Sequence, residues 1–496
     1  MKKSVIIVGG GVSGMSAGVY LCLNGYDVTI YEKHTVAGGE CTGWTRKGVY
    51  IDGCAHWIVG TKDGSDVNLL WKEVGAIKSD TVIHDNEYFA KYIVGEETVT
   101  FYSDLDKMKA EFLRVAPEDK KQINSFLRTI KRYQRVVIPN KRPMECNNLF
   151  QWIAMGWKIA PMALEYVKAK RIGMEEYANR FQSPILRDVF HRIVNPKFNL
   201  HAFAYMVQAL ASRDAGLIEG GSSVFAKNIE ENYRNLGGKF SFGKTVKRIL
   251  IEEGKAVGIE LADGTKEKAD YVIAACDAHH LFYDLLKNKH TPKYYSEKFD
   301  DPESNPLIQS IFLAYSVPLE EAKKLPRKLD FPISGIKVGD FEFEHLVLLN
   351  HAFDETQNQE KTCFVVLNDV DDGVYGYLKA LPREKYLEEK KRLSDVFRKE
   401  LSRWLKLDEA IIDPLDVATP LTFERYVNAY HGSYQSFVTT KTMGALMHKG
   451  VLKDIKNFYF SGQWVMPPGG LPIAVFTAKN AAYRICRLDK KKFKAI

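Results

Sequence analysis

A glycine loop set between an apolar strand and an apolar helix constrains this chain more than any other feature. Val5-Ile6-Ile7-Val8 runs directly into Gly9-Gly10-Gly11-Val12-Ser13-Gly14. A β-branched run of this length suits a buried parallel strand. Gly9 permits a tight turn, Gly11 lets backbone approach a pyrophosphate, and Gly14 with Gly18 lets the next helix pack closely on the sheet. That helix is expected over about residues 13–24, with Gly25 at its C-cap. Its first turn, with Val12 and Ser13, offers free N–H groups and a positive dipole end to phosphates. A second strand from Asp27 to Tyr31 ends at Glu32, 18 residues after Gly14, and Lys33 follows. An acid at that spacing accepts the hydroxyls of an adenosine ribose.

The loop is answered from the far end of the chain. Phe458-Tyr459-Phe460-Ser461 reads as a strand ending at Gly462-Gln463-Trp464, and Pro468-Gly469-Gly470-Leu471-Pro472 opens an Ala-rich helix. The first motif alone does not separate NAD from FAD. A nucleotide-binding start matched by a second glycine segment more than 400 residues later points to one large cofactor, FAD, held by both.

At 496 residues the chain exceeds the usual size of a single core, so more than one domain is expected. Lys+Arg minus Asp+Glu gives 70 − 62 = +8, which over this length is no nucleic-acid footprint. The seven cysteines are scattered and form no Cys-x-x-Cys pair, which predicts reduced thiols and a cytoplasmic protein. Gly9 interrupts the first apolar run too early for a targeting segment. No apolar run reaches the ~20 residues of a membrane-spanning helix, so any membrane contact is expected to be peripheral.

Between the glycine segments, His34 to Gly39 carries Gly38-Gly39, followed by Thr42-Gly43-Trp44 and by Val49-Tyr50-Ile51-Asp52-Gly53-Cys54, with His56 just beyond. Here the chain resembles the FAD-dependent phytoene desaturase, carotene isomerase and retinol saturase superfamily, which shares the flavin amine oxidase fold. The resemblance implies that Gly38 and Gly39 wrap the cofactor and that Trp44, Asp52 and His56 fall near the isoalloxazine. It also implies that Val246 contacts the adenine region through its backbone and that Gly470-Leu471 presents a helix N-terminus to the flavin. At Gln463 the family typically has Asp, so the role of that position is in doubt. The implied fold class is α/β, a Rossmann-like two-dinucleotide-binding-domain flavoprotein with an inserted α+β substrate domain. Residues 1–75, 216–285 and 455–496 are assigned to a discontinuous FAD-binding domain, and 76–215 with 286–454 to a substrate-binding domain.

The periodicity in between fits that plan. Phe225 to Leu236 reads as a helix, Lys239–Phe242 and Thr245–Ile249 as strands, Lys255–Leu261 and Asp270–Ala275 as the rest of a meander and a returning strand. Ile308–Ser316 and Cys363–Leu367 read as strands of the inserted part, and the charged helix near Pro382–Leu405 as a solvated face. Phe150 to Met162 is nearly apolar and about one leaflet long, with Lys168, Lys170 and Arg171 following. Two readings stay open for it: a wall of an apolar substrate tunnel, which is favoured, or a monotopic lipid contact beside a basic patch.

No metal-ligand spacing, nucleophile elbow or catalytic cysteine motif stands out. The chemistry is therefore assigned to the flavin, with His56, Trp44 and Trp464 as candidate catalytic assistants. The function expected is desaturation, saturation or cis–trans isomerisation of a long apolar substrate such as a carotenoid, retinoid or unsaturated fatty acid. A flavin-dependent amine oxidase and a non-catalytic lipid carrier or chaperone are the alternatives. The sequence does not indicate the oligomeric state.

Overall fold

The structure is a computed structural model that describes residues 2–54, 56–135, 140–354, 360–443 and 447–495. Its nucleotide-binding part is built on a five-stranded sheet, ordered Lys239–Phe242, Asp27–Glu32, Ser4–Val8, Tyr271–Ala274 and Phe458–Phe460. Every pairing in it is parallel. Val5 and Ile7 pack on one face with the glycine-loop helix, while Ile6 and Val8 pack on the other. Burial on both faces is why this strand reads as an uninterrupted apolar run. The α/β fold class expected from the sequence is borne out.

The helix after the glycine loop spans Val12–Leu23, and the C-terminal helix spans Leu471–Leu488. They pack against each other, with Ala474, Ala478, Ala481 and Ala482 buried on the shared side. Small residues let the two axes approach closely. Gly18 has a different neighbour from the one expected. A Cβ there would stand 2.5 Å from the ring of Tyr233, so the close approach is to the Gly221–Asn235 helix and not to the sheet. The antiparallel meander of Val246–Glu252, Lys255–Leu261 and Lys266–Lys268 returns into the strand Tyr271–Ala274, beside the central Ser4–Val8, as its alternation predicted.

A second, seven-stranded mixed sheet orders Asp413–Ala418, Gln309–Pro318, Lys361–Val370, Phe341–Asn350, Lys328–Val338, Tyr88–Val94 and Glu97–Tyr102. One face, with Ile311, Leu313 and Tyr315, packs under the Arg383–Leu405 helix. That helix is charged on its solvent side but buries Leu393, Phe397 and Leu401, so it is more than the solvated face its composition suggested. The other face carries Phe312, Ala314, Leu349 and Val365 against Val49 and Ile51 of the Gly43–Arg46/Val49–Asp52 hairpin. This face is turned toward the cofactor segments.

The apolar stretch 150–162 lies within the Leu149–Ala169 helix. Phe150 and Trp157 are 81% and 79% exposed, and Trp152 and Ile153 are exposed as well. The described side chains therefore face outward, against the favoured tunnel-wall reading; those of 154, 155, 158–162 and 164 lie outside the described residues. No described helix is long and apolar enough to cross a membrane.

Candidate cofactor cleft and active site

A cleft of about 940 Å³ runs along the C-terminal ends of the parallel strands. This is where open α/β sheets bind ligands. Gly9, Gly11, Val12, Ser13, Glu32, Lys33, Gly38 and Gly39 line it from the N-terminal segments, Val246 from the meander, and Gly462, Gln463, Trp464, Gly470 and Leu471 from the C-terminal return. Segments more than 400 residues apart in sequence thus share one cavity. They are also joined directly: the Ser13 hydroxyl donates to the Ser461 hydroxyl at 3.0 Å, with both residues buried.

The glycines divide by what surrounds them. A Cβ on Gly14 would fall 1.9 Å from the Gly9 carbonyl oxygen, and one on Gly9 would fall 2.6 Å from that of Ala275. These two shape the turn. By contrast, a Cβ on Gly11, Gly462 or Gly470 would meet no protein atom closer than 3.8 Å, and all three line the cleft. The space beside them is free of protein and suits a ligand that needs close backbone approach. A dinucleotide that spans both motifs fits this cradle. Gly38 is locked onto the first loop by its N–H, which donates to the Gly10 carbonyl at 2.9 Å.

Glu32, the acid expected from the sequence to meet an adenosine ribose, lines the cleft beside the glycine loop. One carboxylate oxygen accepts the Gly10 N–H at 2.6 Å and the other the His34 N–H at 2.8 Å. The carboxylate is thereby aimed and keeps lone pairs for ribose hydroxyls. Each such charged hydrogen bond contributes roughly 1.5–3 kcal/mol. Glu32→Ala is accordingly expected to weaken FAD binding by about 30-fold, from ~2 kcal/mol lost, as measured by flavin-fluorescence titration of the apoprotein. The Lys33 ammonium is engaged by the Arg425 carbonyl and the Asn428 side chain, which ties the strand end to the segment covering the cleft.

Gln463, the departure noted in the sequence, has a specific partner. Its side-chain amide donates to Glu40 at 3.0 Å, and Glu40 lines the same cleft. Burial pushes the Glu40 carboxyl up to about 8, opposed in part by the Gln463 hydrogen bond and reinforced by Asp277. Asp277, also in the cleft, is itself held up at about 6 by burial. A protonated Glu40 adds no negative charge to a cleft shaped for a diphosphate. Between the usual carboxylate value near 4.5 and about 8, the folded protein holds a proton that the unfolded chain has lost. Stability of the apoprotein therefore falls as pH rises through that window. Glu40→Gln should abolish this fall, gaining roughly 4 kcal/mol at pH 8 and nothing at pH 4 in denaturant titrations. Sequence reasoning passed over Glu40, although an acid directly after Gly38-Gly39 was a visible signal.

Of the three catalytic candidates, Trp44 and Trp464 line the cleft and His56 does not. The Trp44 indole N–H donates to Asp416 at 3.0 Å, and its ring lies 5.8 Å from that of Phe312 at the cleft wall. Trp464 borders the cleft but is 3% exposed, packed edge-on to Phe437 at 5.1 Å. His56 instead lines a separate cavity of about 120 Å³, where its ring is 6.2 Å from that of His351. Burial, with His351 and Lys328 nearby, drives the His56 imidazole well below its usual value, so it is neutral at pH 7. Asp52 does not face the cleft: its carboxylate accepts the Ser222 N–H at 2.9 Å and the Cys54 N–H at 3.0 Å, capping the Gly221–Asn235 helix from outside. Cys41 borders the cleft; its thiol acts as a hydrogen-bond donor, toward Cys54 and the Ser222 carbonyl, and this with burial keeps it protonated. No cluster of metal-ligating side chains exists among the described residues.

Comparisons with known proteins bear on the fold and the cofactor. At 24% identity the chain matches a 1-hydroxycarotenoid 3,4-desaturase of Flavobacterium over 97% of its own length and 98% of the relative's. At 22% identity it matches a chloroplastic prolycopene isomerase of Daucus carota over 98% and 80%. Among solved structures it superposes on cyclohexylamine oxidase of Brevibacterium oxydans with a TM-score of 0.59, at 16% identity, covering 99% of this chain and 100% of that one. A putrescine oxidase gives 0.60 at 15% identity, covering 98% and 99%. These likenesses support an FAD-dependent oxidoreductase on the shared fold. The sequence model described as "Flavin containing amine oxidoreductase" matches residues 12–486, and the chain belongs to that family.

Proposed function

We propose that the protein is an FAD-dependent oxidoreductase acting on carbon–carbon bonds of a long apolar substrate, by desaturation, saturation or isomerisation. The observation that carries this reading is the apolar sheet face over the cleft. Phe312, Ala314, Leu349 and Val365, with Leu367 packed beside them, form an apolar patch turned toward the cofactor segments, bordered on the same face by Asp416 opposite Ala314 and by Asp369 two residues beyond Leu367. Such a wall binds hydrocarbon and excludes water, which transfer of hydride to or from carbon requires. FAD, held by Glu32, the two glycine segments and the Leu471–Leu488 helix N-terminus, would supply the hydride-accepting or hydride-donating group. On this reading Trp44 borders the substrate; its indole, fixed by Asp416 at the cleft wall, supports that role. The near full-length match to enzymes named as a carotenoid desaturase and a prolycopene isomerase supports the same substrate class.

The outward apolar side chains Phe150, Trp152, Ile153 and Trp157, with Lys168 and Arg171 exposed near the helix end, support peripheral contact with a lipid surface from which such a substrate is drawn. Sedimentation with anionic vesicles tests this contact; retention in the supernatant at physiological salt would overturn it.

The experiment for the chemistry is anaerobic titration of the yellow holoprotein. Polyenes are expected to bleach or shift the oxidised flavin band, or, after prior reduction, to be isomerised or saturated. Bleaching by amines with no response to any polyene in either redox state would move the assignment to an amine oxidase. A protein that retains no flavin after incubation with FAD would point to the carrier alternative.

A further inference from the structure

The cavity of about 120 Å³ that contains His56 is lined on one side by Trp57, Phe89, Leu349 and Leu367, and on the other by two cations, Arg327 and Lys328. Neither cation has a carboxylate within ion-pair distance among the described residues. The acids that act on Lys328 are Asp330 and Asp369, and on Arg327, Asp85, all at longer range. Asp330 is already committed, to Arg192 at 2.7 Å and to His345 at 3.0 Å, while Asp369 accepts the Tyr434 hydroxyl at 3.2 Å. The Lys328 ammonium lies 3.6 Å from the centre of the Phe89 ring, and the Arg327 guanidinium 5.3 Å from that of Phe353. Aromatic faces attract cations but do not replace a counter-ion. A third polar group is also unsatisfied: the buried Nδ1 of His56 has no hydrogen-bond partner among the described residues.

The sheet connects this cavity to the cofactor cleft. Phe312, which lines the cleft, pairs with Leu367 on the adjacent antiparallel strand, so both side chains project from one face. Val365 shares the face of Leu367 by alternation and pairs with Leu349, which in turn pairs with Lys328. Phe312, Leu367, Leu349 and Lys328 therefore lie on the same face, along a path of three strand spacings, about 14 Å. An apolar strip runs from the cleft wall to a positive end at which Arg327 and Lys328 are half-buried.

We infer that this cavity is the anchoring subsite for the carboxylate of an amphiphilic substrate, so that the preferred ligand is a long-chain unsaturated carboxylic acid and not a neutral hydrocarbon. The inference rests on the proposed reading of a long apolar substrate and narrows it. The carboxylate pairs with Lys328 and Arg327, His56 borders it, and the chain lies along Leu349 and Leu367 toward Phe312. Two facts agree with this assignment. Burial holds Lys328 down at about 8 and Arg327 down at about 10, as expected of cations that lack a counter-ion. The cavity's volume is also of the order that admits a small organic group.

The test compares three probes on the holoprotein, linoleate, methyl linoleate and squalene, by the perturbation of the flavin absorption band and by tryptophan quenching. Linoleate should bind at least tenfold more tightly than its ester. Lys328→Met and Arg327→Gln should each bring the acid down toward the ester, while Lys328→Arg retains the preference; the ratio of flavin to protein absorbance verifies folding of each variant. Equal affinity for acid, ester and squalene would overturn the carboxylate subsite and leave the apolar-substrate reading standing. Perturbation by amines, with none by any of the three probes, would overturn both.

Discussion

Gly11→Val should give a folded protein that carries no flavin. A side chain at this position meets no protein atom closer than 3.8 Å at its Cβ, and the backbone φ of −71° is ordinary for any residue. The apoprotein therefore loses little. The branched side chain instead occupies the space through which backbone must approach the diphosphate, at the N-terminus of the Val12–Leu23 helix. Loss of phosphate contact there should weaken FAD binding by at least about a thousandfold, roughly 4 kcal/mol. Gly14→Ala is the matched control with the opposite internal consequence. Its Cβ would lie 1.9 Å from the Gly9 carbonyl, an overlap that only movement of the turn relieves. This variant should lose both flavin and thermal stability. The pair is read by visible absorbance after desalting from excess FAD and by the melting temperature of each apoprotein. A Gly11→Val protein as yellow as the parent would show that the cofactor does not use this loop.

Asp52→Ala should be the most damaging single change away from the cleft. Asp52 is 3% exposed and holds the N–H groups of Ser222 and Cys54 together with the Ser222 hydroxyl. Truncation leaves buried donors unpaired and removes a negative charge from the start of the Gly221–Asn235 helix. A cost of about 3–5 kcal/mol is expected in urea unfolding. Asp52→Asn keeps an acceptor and should recover part of it. Since the same hairpin carries Trp44, substrate-induced flavin perturbation should weaken along with stability. An Asp52→Ala protein with an unchanged unfolding midpoint would show that the cap contributes nothing.

How far the sequence reaches depends on whether partners are neighbours along the chain. The strand, glycine turn, helix and Glu32 were legible because each is set by local steric and hydrogen-bonding rules. The meander and its returning strand were legible from alternation. The family resemblance set Asp52 beside Trp44 near the isoalloxazine, whereas its carboxylate is taken up by Ser222, which arrives from 170 residues away. His56 shows the same effect: Arg327 and Lys328 reach it only through the pairing of the seven-stranded sheet. Gln463 was recognised as a departure, but its meaning needed Glu40, 423 residues distant. The outward aromatic side chains of the Leu149–Ala169 helix could not be assigned from composition, since a tunnel wall and a lipid-facing surface use the same residues.

The hydrogen bond between Ser13 and Ser461 has a consequence for biosynthesis. The glycine loop is synthesised more than 400 residues ahead of the Phe458–Phe460 strand that joins its sheet and the Leu471–Leu488 helix that packs on its own helix. Loop closure over such a span is slow and leaves apolar surface uncovered meanwhile. Flavin supply at the moment of completion then becomes a determinant of yield: FAD that bridges both segments stabilises only the closed form, so cells short of riboflavin should lose this protein to proteolysis before they lose its messenger RNA.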